Sequence, residues 1–171
     1  GCKEGSARGC FPQVAWARPA APGGQCGPIS ETSQGMISSV DSSVILDVLT
    51  NDATFADRSE NVLRKASGEG QLVVCECALA EIYPALGSTS RCHDFLDDWQ
   101  IDFVPSSRES ALFAGASFAT HLSRGGKSGR VVADFLIAAH AQHCTDRLIA
   151  RDRGYLRDYF SDLLVLDPSD E

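Results

Sequence analysis

Short apolar runs alternate with longer amphipathic stretches over most of the chain, from residue 37 onward. The runs fit buried strands, because a parallel strand that is covered on both faces is apolar throughout. The predicted strands cover 37–41, 72–75, 101–104, 147–150 and 163–166, and the predicted helices cover 44–49, 57–68, 78–86, 89–99, 106–123, 131–144 and 153–160. Strands separated by helices predict a mainly parallel sheet, so we expect a three-layer α/β/α domain.

Two pairs of residues have the spacing of a capping box, in which a short polar residue and a glutamate three positions later satisfy the first amides of a helix. Asp57 and Glu60 form one pair, and Ser106 and Glu109 form the other. We therefore expect a helix to begin at each pair.

Residues 1–35 have a different composition from the rest of the chain. They contain 7 of the 15 glycines, 4 of the 7 prolines and 3 of the 7 cysteines. They show neither a helical nor a strand period, so nothing in them predicts a packed face. The single methionine, Met36, directly precedes the first patterned segment. We expect the natural chain to start at Met36, with 1–35 as upstream sequence or a disordered extension and 36–171 as one domain.

The chain has 15 basic and 23 acidic residues, a net charge of −8. This charge argues against nucleic-acid binding over the whole surface, although a local basic patch remains compatible with it. No apolar run approaches the roughly 18 residues of a membrane span, so we expect no membrane segment. Seven cysteines cannot all be paired. Since no secretory segment is recognisable, we expect reduced thiols and a cytoplasmic location.

Four acidic residues lie where a solvated surface explains them poorly. Asp41 and Asp152 each follow a predicted strand, and ligands of parallel sheets bind at the carboxyl ends of strands. Glu81 and Asp134 lie within apolar stretches of helices that follow loops at the same end of the sheet. Converging carboxylates must be protonated, paired with a cation or bound to a metal. Oxygen ligands suit Mg²⁺ or Mn²⁺, so we predict a site for one of these ions.

Each acid also has a structural interpretation. Asp41 and Asp152 could be helix N-caps, and Glu81 could lie on a solvated helix edge. Asp134 is the hardest to explain in this way, because apolar residues flank it on both sides. A divalent ion held by the four acids could activate water and neutralise charge on a phosphoryl oxygen, which is the chemistry of phosphodiester hydrolysis.

The segments around these acids resemble the motifs of PIN-domain nucleases. The similar segments are 40–45 (VDSSVI), 79–83 (LAEIY), 132–139 (VADFLIAA) and 149–155 (IARDRGY) followed by Tyr159 and Phe160. They occur in the family's order and span nearly all of 37–168. The size and the last motif are most similar to VapC-type toxins of bacterial toxin–antitoxin systems.

The resemblance implies a Mg²⁺- or Mn²⁺-dependent endoribonuclease that a cognate antitoxin inhibits. The four acids would bind the metal, and Ser43 would support the first aspartate or reach the attacking water. The resemblance also implies a homodimer. The chain departs from the family at Ala150, where Thr or Ser is usual, so one supporting hydroxyl is missing. Glu76 competes with Glu81, although its sequence context does not match.

RNA must still bind to an acidic protein, and basic residues flank two of the predicted metal ligands. They are Arg124, Lys127 and Arg130 before Asp134, and Arg147, Arg151, Arg153 and Arg157 around Asp152. We predict that this cluster contacts phosphates, above all through Arg130, Lys127 and Arg151, with Arg130 as the first choice. The alternative is that these side chains pair with nearby acids such as Asp146, Asp158 and Asp162.

Two other functions are compatible with this sequence. One is a catalytically inactive PIN-like module that binds a partner or regulates DNA with it. The other is a nuclease that acts in RNA maturation or on DNA and is not a toxin. The presence of all four acids argues against the inactive module. Two clusters, His140–His143–Cys144 and Cys75–Glu76–Cys77, lack the second ligand pair of a zinc site, and we interpret them as structural.

Overall fold

The structure is a computed structural model, and it describes residues 35–126, 131–151 and 156–170. The predictions for residues 1–34, Lys127, Arg130, Asp152 and Arg153 therefore lie outside the described residues. Within these ranges, strands and helices alternate. The strands are β1 (Met36–Val40), β2 (Gly70–Val74), β3 (Ile101–Phe103), β4 (Arg147–Ile149) and β5 (Val165–Leu166). The helices are α1 (Ser42–Leu49), α2 (Ala56–Glu69), α3 (Glu76–Leu86), α4 (Thr89–Trp99), α5 (Arg108–Ser123), α6 (Val131–Cys144), α7 (Leu156–Tyr159) and a 3₁₀ turn (Pro168–Asp170).

The five strands form one sheet in the order β3-β2-β1-β4-β5, and every neighbouring pair is parallel. Consecutive residues of a strand point to opposite faces of the sheet. The consecutive residues Ser38, Ser39 and Val40 of the central strand are all buried, so both faces of the sheet are covered. The predicted three-layer α/β/α architecture is therefore confirmed.

The apolar runs of the sequence form the core between the sheet and the helices. Val40, Val73 and Ile149 are fully buried in the three central strands. Burying each such side chain stabilises the fold by about 1.5–3 kcal/mol. Helix α3 ends at Leu86 because Gly87 adopts a φ of +76°, which glycine accommodates without the clash a side chain causes. None of the helices in the described ranges has the length and hydrophobicity that crossing a bilayer requires.

Both predicted capping boxes are wrong in detail. Helix α5 is capped by Ser107, whose Oγ accepts a bond of 3.0 Å from the Ser110 amide. The predicted cap, Ser106, instead donates from its amide (3.0 Å) and its hydroxyl (3.1 Å) to Glu76. The sequence spacing could not reveal this long-range partner, which takes the hydroxyl away from its own helix.

Helix α2 begins at Ala56 after Phe55, which provides no side-chain cap. Asp52 accepts bonds of 2.9 Å from the amides of Thr54 and Phe55, so it orders the turn that precedes the helix. Glu60, the second member of the predicted box, pairs with Arg64 at 2.7 Å on the exposed side of the helix.

The cysteines follow the prediction only in part. Cys75, Cys77 and Cys92 are free thiols, as expected. Cys144 is disulfide-bonded, so the expectation of a reduced thiol is wrong for this residue.

Candidate functional site

Asp41 directly follows β1 and caps α1. Its Oδ2 accepts a bond of 3.0 Å from the Ser43 amide and a second, short bond from the Ser43 hydroxyl. The capping interpretation of Asp41 is therefore correct. Capping uses only part of the hydrogen-bonding capacity of Asp41, because a carboxylate has about four acceptor sites. Ser43, predicted to support this aspartate, does so with both of its donors.

The environment of Asp41 disfavours its charge. The residue is only 9% exposed. Burial raises the pKa of its carboxyl above the ordinary value, the hydrogen bonds from Ser43 oppose this rise, and the negative charge of Asp134 adds to it. Asp41 and Asp134 therefore interact electrostatically although they are 93 residues apart in sequence, and a divalent cation would relieve the repulsion between them.

Glu81 lies on the exposed side of α3 and connects this helix to α1. Its Oε2 accepts a bond of 2.5 Å from the hydroxyl of Ser42, the residue that follows Asp41. The solvated-edge interpretation of Glu81 is correct as far as exposure goes. The bond to Ser42 nevertheless holds the carboxyl group beside the N-terminus of α1.

Asp134 lies half-buried in the first turn of α6. Its charge also reaches Cys77 on α3, whose Sγ lies 3.9 Å from the carbonyl oxygen of Ala133. Burial raises the pKa of Cys77 to about 12, and the charges of Glu81 and Asp134 contribute to this rise. Cys77 is therefore a neutral thiol near pH 7 that lies close to two of the predicted acids.

These acids share one cleft of about 660 Å³ at the carboxyl end of the sheet. Asp41, Glu81 and Asp134 line it together with Ser42, Ser43, Arg151 and apolar side chains that include Leu46, Val132, Ile137 and Leu156. Three elements that are distant in sequence thus bring three of the four predicted acids to one cavity. The fourth, Asp152, lies outside the described residues, directly after Arg151.

The donor set of the cleft consists of carboxylate and hydroxyl oxygens, which fits Mg²⁺ or Mn²⁺ and not zinc. Among the residues that the structure describes, no three acidic, His or Cys side chains lie close enough together to form a metal-binding group. Mg²⁺ does not require one, since it usually keeps several waters and takes only one or two carboxylates from the protein. The described residues therefore fit such an ion as partial ligands.

Arg151, predicted to contact RNA, lines the cleft but is already paired. Its Nη2 lies 3.2 Å from Oδ1 of Asp47, and its guanidinium lies 4.8 Å from the centre of the Phe55 ring. Its side chain is 25% exposed. Most of its positive charge is thus directed at a buried carboxylate and an aromatic ring.

The other described arginines of the predicted basic cluster also have partners. Arg147 lies at the opposite end of the sheet, where it pairs with Glu69 at 2.6 Å and donates to the Ser38 hydroxyl at 2.8 Å. Phosphate contact at the cleft is therefore wrong for Arg147. Arg157 lies 3.9 Å from Asp170, and the Arg124 guanidinium lies 5.3 Å from the centre of the Tyr159 ring. Arg147 and Arg157 therefore pair with acids, as the alternative expected, although the acids are Glu69 and Asp170 and not the predicted ones. Arg124 contacts an aromatic ring instead.

Sequence reasoning overlooked Asp47. Its side chain lies in α1 and is only 3% exposed. It accepts a hydrogen bond of 2.8 Å from the Ser59 hydroxyl and forms an ion pair with Arg151. Burial raises the pKa of its carboxyl, and the hydrogen bond from Ser59 and the positive charge of Arg151 oppose this rise. The signal that singled out Asp134, an acid surrounded by apolar residues in a helix, is also present at Asp47. Glu76, the rival of Glu81, is explained by its bonds to Ser106.

No protein-family model matches the chain, and no curated protein is significantly similar to it. Solved structures do match. The chain is similar to a chain of VapBC2 from Rickettsia felis bound to a DNA fragment from its promoter, with TM-score 0.60 and 18% identity over 77% of this chain and 98% of that one. It is also similar to a chain of VapBC-1 from nontypeable Haemophilus influenzae, with TM-score 0.58 and 17% identity over 78% and 99%.

A third similar structure is FitAcB from Neisseria gonorrhoeae, with TM-score 0.54 and 18% identity over 78% of this chain and 99% of that one. At this level of identity, the likeness demonstrates the fold alone. The described domain has the PIN-like three-layer fold, and the fold that the sequence motifs implied is confirmed.

Proposed function

We propose that the protein is a Mg²⁺- or Mn²⁺-dependent endoribonuclease and the toxin of a toxin–antitoxin pair. The observation that supports this most is the convergence of Asp41, Glu81 and Asp134, from three separate elements, on one cleft at the carboxyl end of the sheet. Like charges that meet in a partly buried site cost stability. A binding function explains why such an arrangement is retained.

In this proposal, the three acids and Asp152 hold the cation, which would supply Lewis acidity at the scissile phosphate when bound. Ser43 keeps Asp41 oriented through its two bonds, and Ser42 does the same for Glu81. Apolar side chains also line the cleft, and electrostatic interactions beside such surfaces are stronger than in open water.

The substrate and partners are part of the same proposal. Lys127, Arg130 and the exposed edge of Arg151 would contact RNA phosphates. Since the similar structures are toxin–antitoxin complexes such as VapBC2 and VapBC-1, we propose an antitoxin as the protein partner. We further propose that 36–171 is the functional domain and that it forms a homodimer.

The test is RNA cleavage by the full chain and by a 36–171 fragment, each with Mg²⁺, with Mn²⁺ and with EDTA. We expect cleavage that EDTA abolishes and that added Mn²⁺ restores, with no difference between the two chains. Cleavage that persists undiminished in EDTA would contradict a metal mechanism.

Two further measurements distinguish the alternatives. Calorimetric titration with Mn²⁺ should detect a site of millimolar or better affinity, whereas an inactive PIN-like module should bind none. Induction in a bacterial host should arrest growth, and co-expression of a small adjacent gene should relieve the arrest. Cleavage without growth arrest would indicate a nuclease of RNA maturation or of DNA.

A further inference from the structure

Asp47 is a buried acid in the helix that carries the first acid of the cleft. Helix α1 runs from Ser42 to Leu49, Asp41 caps its beginning, and Asp47 lies near its end with 3% of its side chain exposed. A carboxylate at such depth is costly unless it has polar partners. Its partners therefore indicate what the residue is for.

Asp47 has two such partners on different elements. The Ser59 hydroxyl of α2 donates to Oδ2 at 2.8 Å, and Nη2 of Arg151 lies 3.2 Å from Oδ1. The bond from Ser59 connects α2 to α1, whereas the ion pair with Arg151 connects the segment that follows β4 to α1. Phe55, between α1 and α2, packs on the same guanidinium at 4.8 Å.

Arg151 lies where the chain leaves the sheet and enters the cleft. The amide of the preceding residue, Ala150, donates to the carbonyl of Leu166 at 3.1 Å and so continues the pairing of β4 with β5. Beyond Ala150 the described anchor is the ion pair with Asp47. Arg151 itself lines the cleft and directly precedes Asp152 in the sequence.

We propose that Asp47 is a positioning residue, which fixes the segment after β4 against α1 through its buried ion pair with Arg151. The two segments that the pair connects carry Asp41 at one side of the cleft and Arg151 at the other. The catalytic consequence of this inference rests on the proposed nuclease function, whereas the anchoring itself does not.

A role of Arg151 in positioning and a role in binding phosphate predict opposite effects of removing Asp47. If Arg151 mainly binds RNA, loss of Asp47 frees its charge, which should tighten substrate binding and lower KM. If the pair fixes the segment, loss of Asp47 should lower kcat and leave KM nearly unchanged. Asp47 is too deeply buried to contact RNA, so an effect on kcat must act through another residue.

The experiment compares the variants Asp47→Asn, Arg151→Gln and their double mutant in the full chain, with Ser59→Ala as the matched control. Ser59→Ala removes the other bond to Asp47 but leaves the ion pair in place. Amide hydrogen exchange is measured in the peptide that contains Ala150 and Arg151. kcat, KM and the Mn²⁺ affinity are measured on the same samples.

For Asp47→Asn we expect exchange in this peptide to rise about tenfold and kcat to fall about 10–100-fold, the usual effect of residues that support metal ligands. Ser59→Ala should change neither by more than about twofold. In hydrogen exchange, the double mutant should be no worse than either single variant, because both remove the same ion pair. If Asp47→Asn does not fold, Arg151→Gln provides the hydrogen-exchange test, which does not depend on the RNA contact proposed for Arg151.

Unchanged exchange in both single variants would overturn the inference, whatever the RNA assay gives. A lower KM with unchanged kcat in Asp47→Asn would overturn it, because Arg151 would then bind phosphate without fixing the segment. Failure of the wild-type protein to bind Mn²⁺ and cleave RNA would defeat the proposed function only, since hydrogen exchange requires neither metal nor substrate.

Discussion

The two ends of the parallel sheet differ in how their charged side chains are arranged. At the amino end, Arg147 pairs with Glu69 and donates to Ser38, and Asp146 accepts a bond of 2.7 Å from the Ile37 amide. At the carboxyl end, three acids line one cleft, and burial, with a smaller contribution from the charge of Asp134, raises the pKa of Asp41. One end neutralises its charges, and the other brings like charges together.

Under the proposed function, this difference separates the charges that the domain needs for folding from the charges that would bind a ligand. Charges that satisfy each other within the fold stabilise it or are neutral. Charges that repel cost free energy until a ligand compensates them, so a buried acid with a raised pKa in a cleft, such as Asp41, indicates a candidate functional site. The Asp47–Arg151 pair lies at the carboxyl end, but its two charges neutralise each other within the fold, as those at the amino end do. We therefore assign this pair to positioning.

The largest effect should come from removing one of the converging charges. We expect Asp134→Asn to reduce RNA cleavage by more than the roughly hundredfold that is typical of residues supporting metal ligands, because it removes a predicted ligand itself. The fold should be retained, since Asn has nearly the same shape. Initial cleavage rates in Mg²⁺ and circular dichroism of the same sample test this. Cleavage within threefold of wild type would refute a functional distinction between the two ends.

At the amino end, the same kind of change should affect stability and not activity. We expect Arg147→Met to lower the free energy of unfolding by about 2 kcal/mol, less than the roughly 3–5 kcal/mol for a fully buried pair, because Glu69 reaches water. Urea unfolding measures this loss, and cleavage at 20 °C should remain near that of wild type. A selective loss of cleavage without loss of stability would break the comparison.

A smaller effect is expected from the hydroxyl that supports Asp41. Ser43→Ala removes one of the two bonds to Oδ2 and leaves the amide bond. We expect about a tenfold loss of kcat, with little change in melting temperature. Ser106→Ala is the matched control, since it removes a serine–carboxylate bond to Glu76 outside the cleft and should not affect kcat. Equal losses in both variants would argue against a specific role for Ser43.

The smallest effect concerns pH and stability. The folded-state pKa of Asp41 lies above its ordinary value of 3.8, so the folded protein retains a proton that the unfolded chain has released. In EDTA, Asp41 therefore makes stability fall as pH rises from 3.8 through the folded pKa. Asp41→Asn lacks this contribution and keeps an N-cap acceptor, so it should be about 1 kcal/mol more stable than wild type at pH 7.

Urea unfolding of both proteins at pH 4 and pH 7 in EDTA tests this prediction, since the other carboxyl groups are common to both. The difference between the two proteins should shrink at pH 4, where Asp41 of the wild type is more protonated. Mn²⁺ should also reduce it at pH 7 by stabilising the wild type. A difference that does not depend on pH would show that Asp41 is not destabilised by its surroundings.

Local sequence signals predicted the elements better than their ends. The apolar runs located all five strands to within a few residues, because a strand buried on both faces has little choice of side chain. The caps of α2 and α5 were wrong, since Ser106 binds Glu76, which lies 30 residues away. A capping motif describes only what nearby groups offer each other, and a distant carboxylate can compete with them.

The candidate site shows the same limit. Asp41, Glu81 and Asp134 were identified because each is an acid in an apolar setting or at a strand end. Asp47 is set among apolar residues as well, but the sequence does not reveal that Arg151 and Ser59 neutralise it. The same local pattern, an acid among apolar neighbours, belongs to a candidate site in the case of Asp134 and to a buried ion pair in the case of Asp47.

The sequence alone determined the class of the fold and the order of its elements, because the burial of apolar side chains is encoded in their spacing along the chain. Only the tertiary structure decided which charges are neutralised and which confront each other. That outcome depends on distances of a few ångströms between residues that are about a hundred positions apart, such as Asp47 and Arg151 or Ser38 and Arg147.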